Sequence, residues 1–223
     1  MLQPSISYGE TGQGQGQGRQ QSFKSSPSFV EKYVPTKAEF ATNRNTAISY
    51  ADPKWNALSL TKKAEYAKGV LDDIIKHKGS DYSYIKSNVI VCLINKESEY
   101  IPNRRTTDSR STASGLGQVT NTTLKELLKK RWFQPLMPGF NKDLTADNYR
   151  KRSAKSIVEQ LNLIVSTFHL KRAESGSTNL HTILQRYRGA SAAINKTYAD
   201  KIMACKNCVD KNGLTESCLN KVK

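Results

Sequence analysis

The sequence lacks any apolar stretch close to the roughly 20 residues that cross a bilayer, so we expect no membrane insertion. It has only 4 cysteines in 223 residues, which is too few for a disulfide-dense scaffold and leaves room for one or two bridges. Acidic residues are also scarce, 19 against 35 basic ones, which gives a net charge of +16. Such a surface attracts polyanions, namely nucleic acid, anionic lipid headgroups or acidic polymers, without selecting one of them.

Nucleic-acid binding is the remote alternative function that this charge raises. The basic clusters at residues 129–131 and 150–152 are not interleaved with aromatic residues, and the sequence contains no recognised DNA- or RNA-binding motif. It contains no P-loop, no Ser-His-Asp pattern and no histidines at ligand spacing. We therefore expect no nucleic-acid partner, no cofactor and no metal site.

Composition divides the chain into four segments. Residues 1–28 include an alternating Gly-Gln run and are expected to form a flexible, disordered leader, because they contain little that could be buried. Residues 29–56 carry scattered aromatics and are expected to strap onto the domain in an extended form. Apolar residues recur at helical spacing across residues 57–204, which predicts a mainly α domain, and residues 205–223 form a Cys-containing C-terminal tail.

Helical periodicity is clearest in the second half of this domain, at residues 157–168 and 180–187. Residues 89–94 form a continuous apolar run, which fits a buried helix and a buried strand equally well. Thr123 followed by Glu126 predicts a capping box at the start of a further helix.

Glu97 directly follows the apolar run and opens a long polar stretch over residues 98–120. A carboxyl group at a hydrophobic border loses solvation, which raises its pKa because the charged form is disfavoured. A carboxyl group whose pKa is near neutrality suits general acid catalysis. A polar segment of this length inside a compact domain is more often functional than idle. Glu97 is therefore a candidate proton donor, and the alternative is an ordinary surface glutamate at the end of a helix.

Four short motifs follow one another along the predicted domain: Glu97-Ser98, then Ser109 with Ala113, Gly115, Leu116 and Gln118, then Tyr187-Arg188-Gly189, and finally Tyr198 with Lys201-Ile202. In this order they resemble the motifs of the soluble lytic transglycosylases and the related goose-type lysozymes. The family pattern has Met where this chain has Gly117, and an amide side chain where it has Arg188. The resemblance covers roughly residues 60–203 and implies a mainly α, lysozyme-like domain with a cleft.

The resemblance implies a glycoside-cleaving enzyme that acts on peptidoglycan strands. It would cleave the β-1,4 bond between N-acetylmuramic acid and N-acetylglucosamine, with Glu97 as the general acid and then the base. In the transglycosylases the muramic 6-hydroxyl attacks its own anomeric carbon and leaves a 1,6-anhydro end, so no second carboxylate is needed. The alternative is a hydrolytic muramidase in which Asp108 positions the attacking water.

The same resemblance implies which residues contact the sugar. Small residues let the backbone approach the acetamido groups closely. Gly117, in place of a thioether, predicts a subsite that is either wider or filled from elsewhere, and Tyr187 fits either the cleft or a core stripe. The expected substrate-binding residues are Ser98, Ser109, Gly115, Leu116, Gly117, Gln118 and Tyr187.

The cysteines predict little metal chemistry. Cys92 lies in the apolar run and is expected to be a buried free thiol. Cys205 and Cys208 form only half of a zinc motif, so a tail disulfide is favoured, Cys208–Cys218 or Cys205–Cys218 rather than Cys205–Cys208.

The expected place of action is the periplasm or cell wall, because peptidoglycan lies outside the cytoplasm. The first residues do not read as a secretory signal. We therefore expect delivery by a phage or by secretion machinery such as type VI, or a domain cut from a longer chain. An effector injected into competitors would require an immunity protein in its producer, of acidic character to match the +16 charge.

Overall fold

A computed structural model describes residues 53–107, 111–136, 145–153 and 156–223 of the protein. Over these ranges the chain is mainly helical, as predicted, and contains no β-strand. None of the helices in these ranges combines the length and apolarity that a bilayer crossing requires. The predicted leader and nearly all of the predicted strap lie outside the described residues. The helices are α1 (Pro53–Ala57), α2 (Leu60–Lys78), α3 (Ser87–Ser98), α4 (Asn121–Leu128), α5 (Ala146–Ser153), α6 (Ile157–Ser175), α7 (Leu180–Arg188), α8 (Ala192–Asn212) and α9 (Glu216–Leu219), with 3-10 turns at Ser80–Tyr82 and Asn220–Val222.

The helix ends follow local capping chemistry. Ser59 begins α2 by accepting a hydrogen bond from the backbone N–H of Lys62, and Ser156 begins α6 in the same way. α7 ends at Gly189, whose φ of 64° is the left-handed conformation that glycine adopts without a side-chain clash. The helical periodicity therefore identified α7 and the start of α6, whereas α6 continues beyond the predicted stripe to Ser175.

The apolar run at residues 89–94 forms the buried part of α3. Its six side chains are fully buried, and α2 and α8 both pack against the helix. A helix that is apolar on every face is stable only when other elements cover it. α3 is therefore the central helix of the core, and the ambiguity between helix and strand resolves to helix.

The start of α4 differs from the sequence prediction. Thr120, not Thr123, is the capping residue, and its hydroxyl accepts a hydrogen bond from the backbone N–H of Thr123 at 3.2 Å. Two threonines three residues apart can each serve as a cap, and here the upstream one has the extended backbone that a cap requires. The helix ends at Leu128.

The predicted boundary at residue 205 falls inside a continuous helix. α8 runs from Ala192 to Asn212 without interruption, and α9 folds back onto the core. Leu219 is fully buried, and its carbonyl oxygen accepts a hydrogen bond from Asn95 of α3 at 2.7 Å. The C-terminal residues therefore belong to the same hydrophobic core as α3.

The structure contains two disulfides, one of which corrects the expectation that Cys92 is a free thiol. Cys92 is buried, as predicted, but it is bonded to Cys205, so it is not a free thiol. The bridge forms because α3 and α8 pack side by side and bring the two Cα atoms to 5.9 Å. The second disulfide joins Cys208 and Cys218, one of the two tail pairings expected.

A second, smaller cluster of buried side chains lies between α4, α5 and α6. Arg150 of α5 connects it to the polar stretch, since its guanidinium donates hydrogen bonds to Asn121, to the Ser114 hydroxyl and to the Val119 carbonyl oxygen. The segment that carries the second sequence motif is thus held on one side by α5.

Candidate active site

Glu97 lies in the last turn of α3, where the buried helix reaches the surface. Its side chain is partly buried. Burial raises the pKa of Glu97 above its ordinary value, and a hydrogen bond from Tyr198 and the charges of Arg188, Lys96 and Arg104 only partly offset this. The negative end of the α3 dipole also disfavours an ionised carboxylate at this position. Glu97 therefore lies at the boundary between the hydrophobic core and solvent, as the sequence predicts.

Tyr198 of α8 is the hydrogen-bond partner of Glu97. Its side chain is 6% exposed, and its hydroxyl donates to Oε1 of Glu97. Burial raises the pKa of Tyr198, and the charge of Glu97 raises it further, so the phenol keeps its proton. The Cys92–Cys205 disulfide joins the same two helices, five residues before Glu97 and seven residues after Tyr198.

The chain leaves α3 through two consecutive residues in the left-handed region, Glu99 with φ 52° and Tyr100 with φ 61°. Such conformations cost energy for residues other than glycine and persist only when the surroundings hold them. Two hydrogen bonds do so here: the Tyr100 hydroxyl donates to the Val91 carbonyl oxygen at 2.9 Å, and the Trp55 indole donates to the Tyr100 carbonyl oxygen at 3.1 Å. The backbone beside Glu97 is therefore fixed by the core.

The segment from Gly115 to Gln118 forms a tight turn held by its own side chains. Gly115 has φ 81°, and its N–H donates to the Arg104 carbonyl oxygen at 2.9 Å. Gln118 donates its side-chain amide to the carbonyl oxygens of Gly115 and Arg104, at 2.9 and 3.0 Å. Leu116 is fully buried. Gln118 and Leu116 thus shape the turn.

Gly117 is enclosed by neighbouring side chains. A Cβ atom on Gly117 would lie 2.5 Å from Ile164 and 2.8 Å from the Tyr187 hydroxyl. That hydroxyl donates to the Gly117 carbonyl oxygen at 2.7 Å. Ile164 and Tyr187 therefore fill the space beside Gly117, and the sugar subsite expected there stays a prediction.

Tyr187 shows one of its two expected placements. The ring packs against the main core, and the hydroxyl donates to the Gly117 carbonyl oxygen. Burial raises the pKa of Tyr187, and the charge of Glu97 raises it further. The role of Tyr187 in lining a cleft stays a prediction.

Three predicted site residues remain, and of these only Ser98 lies among the described residues. Ser98 is fully buried and donates its hydroxyl to the Ile94 carbonyl oxygen at 3.1 Å, so it presents no surface to a sugar, contrary to expectation. This correction has a local cause, since serine near a helix end bonds readily to the preceding turn. Asp108 and Ser109 lie outside the described residues.

Gln160 is a site residue that the motifs missed. Its side-chain oxygen accepts a hydrogen bond from the Leu116 N–H at 2.8 Å, and its amide nitrogen is buried with no hydrogen-bond partner among the described residues. Gln160 lies on the same helical face as Ile157 and Ile164. A polar residue within an apolar stripe was the signal that could have identified it.

A separate cavity lies at the other end of α3. Its volume is about 320 Å³, and Asp72, Ser87 and Asp210 are among the residues that line it. Ser87 is ten residues from Glu97, roughly 15 Å along a helix at 1.5 Å per residue, so the cavity is not part of the Glu97 site. A lysozyme-like cleft at Glu97 remains a prediction. Within the described ranges, no three His, Cys, Asp or Glu side chains are grouped to hold a metal ion.

Comparisons with known proteins assign no family to this chain. The chain matches no protein-family model, and comparison with curated proteins and with solved structures gives no significant match. The function is therefore inferred from the motifs and from the geometry around Glu97.

Proposed function

We propose that the protein is a lytic transglycosylase that cleaves peptidoglycan between N-acetylmuramic acid and N-acetylglucosamine. Glu97 is the catalytic acid, which protonates the glycosidic oxygen and then accepts the proton of the muramic 6-hydroxyl. The observation that carries this proposal is the partly buried Glu97, whose pKa is raised by burial at the end of an apolar helix. A carboxyl group that keeps its proton toward neutral pH is what protonation of a leaving oxygen requires.

The hydrogen bonding of Glu97 supports this role. Tyr198 binds Oε1, and no described residue is hydrogen-bonded to Oε2, which is therefore the oxygen available to carry the transferred proton. The fixed phenol holds the carboxyl group in one orientation, and a fixed donor reacts without first having to be oriented.

Among the described residues, the carboxylate next to Glu97 along the chain does not support an activated water. The nearest carboxylate along the chain, Glu99, is exposed and ion-paired with Arg104 at 3.0 Å. An inverting hydrolase needs a second carboxylate that holds water, whereas the muramic 6-hydroxyl replaces that water in a transglycosylase. The hydrolytic muramidase with Asp108 remains the second candidate, and it differs in its products.

Two disulfides support action outside the cytoplasm. All 4 cysteines of the chain are paired, as Cys92–Cys205 and Cys208–Cys218. Disulfides form and persist in oxidising compartments such as the periplasm. The proposed place of action is therefore the periplasm or cell wall, where peptidoglycan is found.

Digestion of purified peptidoglycan followed by mass spectrometry tests the proposed function. Soluble fragments that end in 1,6-anhydro muramic acid are the expected products, because the 6-hydroxyl closes on its own anomeric carbon. Fragments with reducing muramic ends would replace this proposal by the hydrolytic muramidase. Peptidoglycan that remains undigested would contradict both.

Substitution of Asp108 separates the two enzymes further. Asp108→Asn is expected to leave the rate and the anhydro products unchanged, because an intramolecular attack needs no carboxylate to hold water. The rate of fragment release from peptidoglycan measures this. A loss of about a hundredfold or more, of the size that general acid–base groups contribute, would instead assign Asp108 to a hydrolytic mechanism.

Removal of the Tyr198 hydroxyl is expected to shift the pH dependence of cleavage. That hydroxyl donates to Glu97 and so favours the ionised carboxylate, which means that Tyr198→Phe raises the pKa of Glu97. Activity requires protonated Glu97 and is lost as the pH rises through its pKa, so the alkaline limb of kcat/KM moves to higher pH in the variant.

The matched control for this experiment is Tyr84→Phe. Tyr84 is also partly buried, but its hydroxyl is hydrogen-bonded to His169 at 3.2 Å, in a different part of the protein. The control should keep the pH profile of the unmodified protein. An alkaline limb that stays in place, or moves to lower pH, in Tyr198→Phe would contradict the proposed orientation of the proton donor.

A further inference from the structure

Three basic side chains gather beside Glu97, and we name them the cationic rim: Lys96, Arg188 and Lys201. Lys96 precedes Glu97 in α3, Arg188 is the last residue of α7, and Lys201 follows Tyr198 by one turn of α8. The guanidinium carbon of Arg188 lies 5.9 Å from the ring centroid of Tyr198, the same ring whose hydroxyl binds Glu97. The cationic rim therefore adjoins the proton donor.

The charges of the rim are not neutralised by carboxylate side chains of the described residues. Other basic residues nearby are paired, such as Arg104 with Glu99 at 3.0 Å and Lys196 with Asp200 at 2.7 Å. Lys96 and Arg188 form no such ion pair, and Lys201 donates instead to the backbone oxygen of Lys223. Lys96 and Arg188 are thus cations with unused capacity for an anion, whereas Lys201 already donates to an oxygen of the chain.

The rim cations are also close enough to repel one another. Burial lowers the pKa of Lys96, and the charges of Lys201 and Arg188 lower it further, while the charge of Glu97 acts in the opposite direction. Like charges gathered in this way destabilise a folded protein unless an anion offsets them. Glu97 does not offset these charges while it carries its catalytic proton, whereas an anionic group of a ligand would.

We propose that the cationic rim binds a carboxylate carried by the muramic residue of the substrate. This inference rests on the proposed function and identifies the substrate class of the same site. N-acetylglucosamine is neutral, whereas muramic acid carries a lactyl group whose carboxyl is either free or extended by a peptide that ends in carboxylates. Arg188 is the principal ligand, because its planar guanidinium presents paired donors that match a carboxylate. The chain thereby uses an arginine where the resembled family has an amide.

A bound carboxylate would also assist the reaction. Positive charge develops on the sugar ring in the transition state of glycoside cleavage. Uncompensated cations beside Glu97 would oppose that charge, and a substrate carboxylate seated between them removes the opposition. Binding to the rim is therefore expected to increase kcat/KM for carboxylate-bearing glycan more than for neutral glycan.

The test compares Arg188→Gln with the unmodified protein on two glycans, peptide-bearing peptidoglycan and peptide-free strands prepared with an amidase. Each glycan is used before and after conversion of its carboxyls to amides. Arg188→Gln should lower kcat/KM about tenfold on the carboxylate form, the loss of one charge-assisted hydrogen bond, and should not lower it on the amide form. The glycan on which the difference occurs identifies the source of the carboxylate, lactyl group or peptide.

Arg186→Gln is the matched control, since Arg186 is also exposed on α7 but is paired with Glu174 at 3.5 Å. Arg186→Gln should keep the preference of the unmodified protein for carboxylate-bearing glycan. Arg188→Lys should retain part of this preference, and Lys96→Gln is an independent second variant of the rim. Equal effects of Arg188→Gln on carboxylate and amide forms would overturn this inference alone. Failure of the unmodified protein to cleave any of the glycans would overturn the proposed function together with it.

Discussion

Glu97→Gln should reduce the cleavage of purified peptidoglycan by about a hundredfold to ten-thousandfold, the range that a general acid–base group contributes. The amide keeps the shape of the side chain and its contact with Tyr198 but cannot give up a proton. Release of soluble muropeptides, followed together with the turbidity of a peptidoglycan suspension, measures the loss. Cleavage by Glu97→Gln at the rate of the unmodified protein would contradict the assignment.

Two controls separate this chemical loss from unfolding. Glu99→Gln removes an exposed carboxylate two residues away and should retain activity. The second control is stability, because the pKa of Glu97 is raised in the folded protein. The stability that this group contributes is present at low pH and is lost as the pH rises through the folded-state pKa. Glu97→Gln should therefore be at least as stable as the unmodified protein at neutral pH.

Removal of the Cys92–Cys205 disulfide is expected to lower the free energy of unfolding strongly. The double variant Cys92→Ala/Cys205→Ala should lose about 2–5 kcal/mol of unfolding free energy, because the bridge closes a loop between residues 113 positions apart. A typical domain has only about 5–15 kcal/mol in total. Cleavage activity should fall with it, since the bridge joins the helix of Glu97 to the helix of Tyr198.

The second disulfide provides the matched control. Cys208–Cys218 closes a separation of only 10 positions, so the double alanine variant of this pair should lose about 2 kcal/mol less. Its loop is remote from Glu97 along α8, and activity should be retained. Urea unfolding of both variants measures the difference. Equal destabilisation, or a smaller loss for Cys92–Cys205, would contradict the role of this bridge as the link between α3 and α8.

Local patterns were sufficient to predict much of the fold. The apolar stripes of α6 and α7 and the glycine that ends α7 depend on residues within one helix, so periodicity identified them. The run at residues 89–94 stayed ambiguous because a fully buried helix shows no polar face, and only its packing against α2 and α8 decides. The position of Glu97 at the edge of the core was nonetheless predictable, because a buried helix and a buried strand would both reach the surface at the end of this run.

Contacts between distant segments were out of reach of the sequence. The pairing of Cys92 with Cys205 depends on how two helices 113 positions apart pack together. The bonds from the Gln118 side chain to the backbone of its own turn depend on the fold of that turn and could not be predicted from the motif. The motifs therefore pointed to Glu97 and to the turn at residues 115–118, whereas the contacts within the turn required the fold.

Titration of Glu97 shows whether burial keeps this carboxyl protonated above its ordinary range. The side-chain carboxyl carbon can be followed by NMR from acidic to neutral pH, with Glu97→Gln used to assign its signal. The account predicts a midpoint above the ordinary value of 4.5. A midpoint at or below 4.5 would contradict it, because the carboxyl group would then be ionised before it could donate a proton.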